Sequence, residues 1–261
     1  MDFSFGIITS VHTQQYLENT IRSIIDQNIE NYEILVIGGK NTFLNSFRED
    51  KHFIRHIKFD EDVKKKWITR KKNIIIEESN FENIVFLHDY LVLDRDWYSG
   101  YLNFGNNFVV STNRILNLDN TRFRDWTLSP GNYLRIDEKL TINMEYLLPY
   151  CENKLTKHMY ISGAYWVAKK KFMERNKLNE RLLWGQGEDV EWSHRVRRKT
   201  KFKFNEESTV YLQKQKEIYF TEITEKNLNI IKNRSFINKK IDRFLVPFRR
   251  YRKKKKFFSK I

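Results

Sequence analysis

The sequence predicts an α/β protein in which a mainly parallel sheet is flanked by helices and followed by a basic C-terminal tail. Short apolar runs alternate with amphipathic segments of helical length from the first residues onward. Strands that alternate with helices form βαβ units, whose crossover connections make neighbouring strands parallel. Hydrophobic residues make up 40% of the 261 residues, so the chain can bury the core of one sizeable domain.

The N-terminal third is expected to hold four strands separated by helices. Residues 3–9 are an apolar run and predict a buried strand, while residues 16–27 place Leu17, Ile21 and Ile24 on one face of a helix. Further apolar runs predict strands at 33–37, 54–59 and 83–88, and an amphipathic segment predicts a helix at 67–78.

The middle of the chain is less regular. A short helix is expected at 97–104 and a strand at 108–111, but residues 113–149 show no clear period and contain Pro130 and Pro149. We therefore expect a long excursion over the active face of the sheet. The remaining elements are expected to be a strand at 160–168, a basic helix at 169–175, a helix at 188–198, a strand or two after Lys201 and a helix near 225–233. These elements predict a domain over 1–215 and a helical basic extension over 216–261.

The net charge of +15 is concentrated at the C-terminus. Residues 239–261 contain eleven lysines and arginines and a single acidic residue, Asp242, with phenylalanine and tyrosine among them. Basic segments with aromatic residues bind anionic membrane surfaces, and we expect such a contact here. A solvated, disordered end is the other interpretation of this tail.

Cysteine usage and the N-terminus indicate the compartment. Cys151 is the only cysteine, which excludes an internal disulfide framework and suits a reducing compartment. The first residues form a strand pattern rather than a signal peptide, and no apolar run approaches the roughly 20 residues that cross a bilayer. We expect a cytoplasmic protein that can lie on the inner face of the cytoplasmic membrane.

The first candidate site lies where two predicted strands end. Thr9 and Ser10 follow the first strand, and Gly38 and Gly39 follow the second. In a doubly wound sheet, ligands bind beyond the carboxyl ends of the strands, and small residues there let a nucleotide approach the backbone. The two glycines are equally compatible with an ordinary turn.

The second candidate site ends the fourth strand. The apolar run becomes polar at His88 and Asp89, so these side chains are expected at the same edge of the sheet. A carboxylate and an imidazole suit a divalent cation that bridges two phosphates, because Mg²⁺ prefers oxygen ligands and Mn²⁺ also accepts imidazole. The alternative is that the two residues merely cap a turn.

The third candidate site is the run Trp184-Gly185-Gln186-Gly187-Glu188-Asp189-Val190-Glu191. Asp189 falls at a predicted helix start, where the helix dipole favours its negative charge, and an ionised carboxylate beside a hydroxyl is a general base. Glu188 and Glu191 share a helix face, from which they can bind sugar hydroxyls or orient Arg195. An acidic first turn of an ordinary helix is the alternative.

Taken together, these motifs resemble glycosyltransferases of the Rossmann-like GT-A fold, particularly the inverting family 2, over residues 3–199. The similar segments are the first strand at 5–10, the helix at 16–24, the second strand at 33–37, the pair Lys72-Asn73, the metal-site strand end at 86–90, the glycine-bearing strand Ile161-Ser162-Gly163-Ala164 and the acceptor and base motif at 184–189. The last of these also resembles the Trp-Gly-x-Gly-x-Glu-Asp signature of the β1,4-galactosyltransferases.

The resemblance implies transfer of a sugar, with inversion, from a nucleotide-diphosphate sugar (a UDP-sugar above all) to a hydroxyl of a glycan or lipid-linked glycan in surface polysaccharide synthesis. Asp189 and Glu188 would be catalytic, and Trp184, Glu188 and Glu191 would bind the acceptor. The donor-binding positions would be Thr9, Ser10, Gly38, Gly39, Lys72, Asn73, His88, Asp89, Gly163 and Ala164. Other tryptophans, such as Trp126, Trp166 and Trp192, are candidates for stacking on sugars or for the core.

Two departures from the family pattern concern the donor. The aspartate expected after the second strand is replaced by Gly38-Gly39, and the Asp-x-Asp motif is replaced by His88-Asp89-Tyr90. Mn²⁺ or Mg²⁺ would then be held by Asp89 alone with phosphates and water, or by Asp89 together with His88 or His194. Alternatively, basic side chains such as Arg70 or Lys72 offset the diphosphate charge, or the chain has lost turnover.

Two functions of other classes stay open on the sequence. A pI near 9.7 and a basic, aromatic tail are compatible with nucleic-acid binding, although no recognition motif occurs and the charge lies mostly outside the predicted domain, so no nucleic acid is expected. A sugar-binding protein without turnover is the second alternative.

Overall fold

The structure, a computed structural model, describes residues 1–10, 14–38, 54–129, 135–137, 140–141, 146–217, 220–229 and 232. Gly39, the loop residues 11–13 and the basic tail 239–261 therefore lie outside the described residues. The predictions made for them stay predictions.

Strands and short helices alternate along the chain. The strands are β1 Phe3–Ile8, β2 Tyr32–Gly38, β3 Ile54–Lys58, β4 Asn83–His88, β5 Leu91–Leu93, β6 Val110–Leu116, β7 Thr127–Leu128, β8 Arg135–Asp137, β9 Leu140–Thr141, β10 Tyr146–Leu147, β11 Met159–Tyr160, β12 Tyr165–Lys169, β13 Phe202–Leu212 and β14 Thr221–Glu222. The helices are α1 Gln14–Ile25, α2 Ile68–Glu78, α3 Trp97–Phe104, α4 Lys170–Arg175 and α5 Glu188–Val196, with a 3₁₀ turn at Thr156–His158.

The main sheet has eight strands in the order β3-β2-β1-β4-β12-β6-β13-β5. The strands β3, β2, β1 and β4 are parallel, as are β6 and β13, whereas β12 and β5 are antiparallel to their neighbours. In the register, Ile8 pairs with both Ile37 and His88. The carboxyl ends of the three central strands consequently meet at one edge, which confirms the predicted α/β class with a mixed, mainly parallel sheet.

Each face of the sheet is covered by its own helices. Successive strand residues point to opposite faces, so Val85 and Leu87 pack with α1 and α3, while Ile84 and Phe86 pack with α2, α4 and α5. All four of these side chains are at most 1% exposed. Strands buried on both faces read as continuous apolar runs, which is why their positions could be predicted.

Several predicted elements need correction. The strand expected at 160–168 is two strands, β11 and β12, separated by residues 161–164. The strand β5 was not predicted because it has three residues, and β6 runs seven residues, into the segment predicted to be irregular. Short strands β7 and β10 join β11 and β14 in a second sheet of four strands. The excursion over 113–149 is thus partly ordered by pairing.

Described residues on both sides of position 215 belong to one apolar cluster. Ile223 and Leu228 are buried in the same apolar cluster as Trp126 and Trp192. The strand β14 pairs with β10, and residues 225–229 are helical. The domain over 1–215 and the helical basic extension over 216–261 stay predictions. In the part of the chain that the structure describes, no helix combines the length and apolar character that a membrane span requires.

Candidate functional site

A cleft of about 630 Å³ lies at the carboxyl ends of the central strands. It is lined by residues from β4 and its end, from the segment between β11 and β12, from the start of α5, and from the segments around 124 and 216. The lining residues are His88, Tyr90, Phe123, Arg124, Tyr160, Ser162, Gly163, Ala164, Trp184, Gly185, Gly187, Glu188, Asp189, Val190, Lys214, Lys216 and Glu217. The second and third predicted sites thus share one cleft.

One side of the cleft, which we call the acidic wall, consists of Gly163, Glu188 and Asp189. The Gly163 amide donates a hydrogen bond of 2.7 Å to Asp189 Oδ2, and the Gly163 carbonyl accepts one of 3.0 Å from Lys72 Nζ. Asp189 Oδ1 accepts a bond of 2.9 Å from the Val190 amide. Since a carboxylate has about four acceptor positions, Asp189 is held in place and can still accept a proton from a ligand hydroxyl.

A glycine is required at position 163 by the approach of these carboxylates. A Cβ there would lie 3.0 Å from Asp189 Oδ2 and 3.1 Å from Glu188 Oε1. Such contacts are tighter than ordinary van der Waals packing, so a larger residue would push the carboxylates away.

Glu188 is buried and is balanced by a buried lysine. Its Oε1 lies 3.4 Å from Lys72 Nζ, and the side chain of Lys72 is fully buried against the Trp166 ring, 4.8 Å from the ring centroid. Two buried charges are tolerated when they are paired and hydrogen-bonded, as here. Lys72 therefore lies beneath the acidic wall, where it supports Glu188 and Gly163.

The turn before α5 has a left-handed backbone at both of its glycines. Gly185 has φ = 83° and Gly187 has φ = 69°, and Gly187 is the residue that starts the helix. Side chains are disfavoured at these angles, so both glycines are needed for the turn itself. The turn places Glu188 and Asp189 at the helix N-terminus, where unpaired amide groups favour negative charge.

The end of β4 forms the floor of the cleft. The Asp89 Oδ2 atom accepts hydrogen bonds from Thr9 Oγ1 at 2.8 Å and from the Ser10 amide at 3.4 Å, which joins the ends of β1 and β4. His88 is buried, and burial together with Lys72 holds the pKa of its imidazole well below the ordinary value, so His88 is neutral. Burial also raises the pKa of Tyr90, which keeps its phenol protonated.

Gly38 lies at this edge of the sheet, and the space beside its Cα is occupied by Thr9. A Cβ on Gly38 would lie 2.3 Å from Thr9 Cγ2, so glycine is needed for β2 to pass Thr9. The predicted donor-binding residues Thr9, Ser10 and Gly38 adjoin the cleft through Asp89 rather than lining it.

The opposite charge is supplied by residues that the sequence analysis did not identify. Arg124, Lys214 and Lys216, which we call the cationic wall, all line the cleft. Lys216 Nζ lies 3.6 Å from the centroid of the Tyr90 ring and 5.1 Å from that of Phe123. Burial above all, and then Lys214 and Arg124, lower the pKa of Lys216 to about 8. The three cations are therefore close enough for their charges to interact.

The segment that carries the two lysines is held by glutamines. The Gln213 amide group donates to the carbonyls of Tyr16 at 2.8 Å and Asp89 at 3.2 Å, and Gln215 donates to Asp119 at 2.8 Å. The Lys216 amide donates to Asn117 Oδ1 at 2.9 Å. The alternation of glutamine and lysine at 213–216 was the sequence signal for this wall. The signal alone could not locate the lysines, because the contacts of Gln213 with the end of β4 and with α1 position them.

Besides Thr9, Ser10 and Gly38, the predicted site residues that are not among the lining residues are Lys72, Asn73, Asp89, Glu191 and His194. The Asn73 side chain bonds to the Leu178 main chain and to Glu180, while Glu191 pairs with Arg195 at 3.0 Å, as the sequence analysis had allowed. His194 interacts with the Ser129 backbone, and burial and Arg197 lower its pKa. Asn73 and Glu191 are thus engaged in structural contacts outside the cleft, and His194 is not brought to Asp89.

The described residues do not fit a divalent cation. Asp89 already accepts bonds from Thr9 and Ser10, and Lys216 lies near enough for its charge to interact with that of Asp89. No group of three histidine, cysteine, aspartate or glutamate side chains able to hold a metal occurs among the residues that the structure describes. A cation at Asp89 would also be repelled by the nearby positive charge of Lys216.

Tryptophans divide clearly between core and cleft. Trp126, Trp166 and Trp192 are at most 2% exposed, whereas Trp184 is 58% exposed at the cleft and has Lys66 Nζ 5.3 Å from its ring centroid. Among the four tryptophans considered for sugar stacking, Trp184 alone presents a ring to solvent in the described structure.

The fold has counterparts among solved structures. No protein-family model matches the sequence, and no curated protein matches it. The crystal structure of residues 1–349 of S. aureus TarS in complex with UDP-GlcNAc superposes with a TM-score of 0.59 at 11% identity, over 84% of this chain and 60% of that one. The structure of the same TarS fragment with UDP gives a TM-score of 0.55 at 10% identity, over 81% and 61%.

A second solved protein leads to the same fold. The crystal structure of GalNAc-T7 with UDP, GalNAc and Mn²⁺ gives a TM-score of 0.59 at 13% identity, over 88% of this chain and 46% of that one. The chain spans less than two thirds of the length of each of these neighbours. Both proteins are GT-A glycosyltransferases. The chain described here therefore has the GT-A fold that the sequence motifs predicted.

Proposed function

We propose that this protein is a glycosyltransferase that moves a sugar from a nucleotide-diphosphate sugar, a UDP-sugar above all, to a hydroxyl of a glycan or lipid-linked glycan, with inversion. The observation that carries the proposal is the position of Asp189, fixed by the Gly163 amide in a cleft at the carboxyl end of β4. In open α/β sheets this edge is where nucleotides bind. TarS with UDP-GlcNAc and GalNAc-T7 with UDP, which share the fold, support the donor class.

The proposed reaction is a single in-line displacement in which Asp189 is the base. The acceptor hydroxyl loses its proton to Asp189, and its oxygen forms a bond to the anomeric carbon. The bond from that carbon to the diphosphate oxygen breaks, and its electron pair leaves with the diphosphate. Because the new bond forms on the face opposite the leaving group, the anomeric configuration inverts.

The neighbours of Asp189 determine its orientation and surroundings. Glu188, balanced by Lys72, lies next to it at the same helix terminus and is placed to accept hydrogen bonds from sugar hydroxyls. Trp184 provides an exposed aromatic face at the cleft on which a sugar ring can stack. Gly163 and Ala164 line the cleft with little bulk, which leaves room for a sugar.

A donor screen tests the proposal. The thermal midpoint of the full chain is measured with UDP-, GDP-, ADP- and dTDP-sugars, and the best binder is incubated with glycan and lipid-linked acceptors while nucleotide release is followed. Binding of a nucleotide-sugar with acceptor-dependent release of the diphosphate supports the function. The anomeric configuration of the product, read by NMR coupling constants, decides between inversion and retention. No stabilisation by any nucleotide-sugar contradicts the proposal.

A cytoplasmic location at the membrane surface is part of the same proposal. A lipid-linked acceptor and the basic residues 239–261 both favour an enzyme that works at the inner face of the cytoplasmic membrane. Sedimentation with vesicles that contain 30% phosphatidylglycerol is expected for the full chain, and loss of this binding is expected when the tail lysines at 253–256 are replaced by glutamine. Equal binding to neutral phosphatidylcholine vesicles would show that the membrane contact is not electrostatic.

A further inference from the structure

We propose that Arg124, Lys214 and Lys216 are the binding site for the donor diphosphate and that they balance its charge without a divalent cation. The inference rests on the proposed function and adds to it the residues that receive the leaving group. Of the basic side chains considered from sequence, Lys72 is occupied by Glu188 and Gly163, and Arg70 pairs with Glu77 and Glu180. Neither of these two is available to a diphosphate.

The cationic wall holds three positive charges, and the carboxylates nearest to it are Asp89, whose charge attracts Lys216, and Glu217, which lines the same cleft. In the part of the chain that the structure describes, none of its members forms an ion pair, although Arg122, two residues before Arg124, pairs with both Asp125 and Glu222. Burial and the neighbouring cations lower the pKa of Lys216 to about 8, which is the cost of concentrating like charges. A bound dianion would remove this repulsion.

Arg124 carries two further signs of a ligand site. Its backbone has φ = 46°, a left-handed conformation that side chains rarely adopt and that persists when the surroundings enforce it. Its Nε atom is buried and has no hydrogen-bond partner among the described residues. Its guanidinium packs 4.7 Å from the Phe220 ring centroid, which fixes its direction. A buried donor without a partner is costly, and a phosphate oxygen would satisfy it.

The wall is fixed in place before a ligand arrives. Arg122 and Asp125, on either side of Arg124, are joined at 2.8 Å, and Asp125 also accepts a bond from the Trp126 amide at 2.7 Å. The lysines are held by the bonds of Gln213 and Gln215 described above. Cations that are already oriented toward a developing negative charge stabilise it without further reorganisation. The wall therefore suits both the bound diphosphate and its departure.

The location agrees with a donor laid across the strand ends. Lys216 packs on Tyr90, which follows Asp89, and its charge interacts with that of Asp89. The family resemblance implies a metal site at this strand end, where carboxylates would hold the cation. Here ammonium and guanidinium groups occupy the surroundings, and His88 and Tyr90 replace carboxylates. The positive charges of these side chains balance the negative charge of the diphosphate in place of a metal ion.

Calorimetric binding of nucleoside diphosphates tests the inference. Wild-type protein, Lys216→Gln, Arg124→Gln and the matched exposed control Lys171→Gln are titrated at pH 7 with UDP, UMP and uridine, in EDTA and in Mn²⁺. GDP, ADP and dTDP replace UDP if one of them binds better. The inference expects wild-type binding in EDTA, and UDP affinity lowered about tenfold or more by each wall substitution, with uridine binding unchanged.

A stability measurement separates binding from structure. Without ligand, Lys216→Gln is expected to melt no lower than wild type, because it removes a desolvated and repelled charge. Its stabilisation by UDP is expected to be smaller, while Lys171→Gln matches wild type in both. Arg124→Lys, which keeps the charge, is expected to recover part of the affinity lost in Arg124→Gln. A fall in the unliganded melting temperature with unchanged UDP affinity would assign these residues a structural role instead.

The two proposals fail in different ways. If a nucleoside diphosphate binds only in Mn²⁺, or binds all wall variants as tightly as wild type, the cationic wall is overturned while the glycosyltransferase stands. If no nucleoside diphosphate binds wild-type protein in EDTA or in Mn²⁺, the proposed function itself falls, and this inference falls with it.

Discussion

The acidic wall and the cationic wall line the same cleft but are built in opposite ways. On the acidic wall the charges are satisfied by the protein, since Asp189 accepts bonds from the Gly163 and Val190 amides and Glu188 pairs with Lys72. On the cationic wall the described residues contain no carboxylate partner for Arg124, Lys214 or Lys216. A wall whose charges are already paired within the protein suits a catalytic group, here Asp189, that must stay in a fixed position. A wall with unbalanced charge suits the capture of an anion.

Removing the base is the change with the largest expected effect on activity. Asp189→Asn keeps the shape of the side chain but cannot accept the acceptor proton, so kcat for sugar transfer should fall by about 10³. UDP affinity should stay nearly unchanged, because the diphosphate is bound by the other wall. Single-turnover release of UDP and calorimetry measure the two quantities separately. Retained turnover would remove Asp189 from the mechanism.

Unbalancing the acidic wall should cost stability. Lys72→Met leaves Glu188 buried without its partner, and breaking a buried pair costs about 3 kcal/mol or more in the free energy of unfolding. The double variant Lys72→Met with Glu188→Gln should recover most of this loss, as denaturant unfolding curves will show. Equal stability of the single and double variants would show that the two charges do not interact.

Crowding the acidic wall should have a smaller effect on catalysis. Gly163→Ala places a methyl group 3.0 Å from Asp189 Oδ2, and a shift of a few tenths of an ångström relieves this contact. We expect kcat to fall by about tenfold, since misplacement of a catalytic group weakens its alignment, with little change in UDP affinity. Steady-state kinetics checks this. Wild-type kcat in this variant would show that the position of Asp189 tolerates displacement.

The smallest expected effect concerns the pH dependence of the cationic wall. Lys216 faces Lys214, Arg124, Asp89 and Tyr90, and its lowered pKa of about 8 means that it is charged at pH 7 and loses its charge as the pH rises. UDP affinity should therefore fall by about fivefold between pH 7 and pH 9 in wild type. Lys216→Gln should show a flatter profile by calorimetry. Parallel profiles for the two proteins would assign the change to another group.

The strand positions and the acidic wall could be predicted because local signals determine them. The predicted bounds 83–88 and 97–104 match β4 and α3, since a buried strand and a short helix with aromatic residues leave clear apolar patterns. The position of Asp189 at a helix start follows from glycines before an acidic turn. Family 2 membership, the β1,4-galactosyltransferase signature and the roles of the site residues stay predictions.

The cationic wall could not be predicted because it exists only in the tertiary structure. Arg124 and Lys216 are far apart in the sequence, and the basic residue nearest to Arg124, Arg122, pairs with Asp125 and Glu222 instead. The lysine at 214 even fell next to the predicted boundary at residue 215, which divides the wall. The interruption of the strand expected at 160–168 could not be predicted either. It includes Gly163, whose amide contacts Asp189 in a distant segment of the chain.

The main chain of Gly163 has a consequence for how this molecule can vary. Its two polar atoms hold Asp189 and Lys72, so main-chain atoms rather than a neighbouring side chain fix the carboxylate. Exchanging Trp184, whose ring is exposed at the cleft, alters which molecules fit there, while Gly185 and Gly187 keep the turn that positions that carboxylate. Selectivity and reactivity can thus change independently of one another in descendants of this sequence.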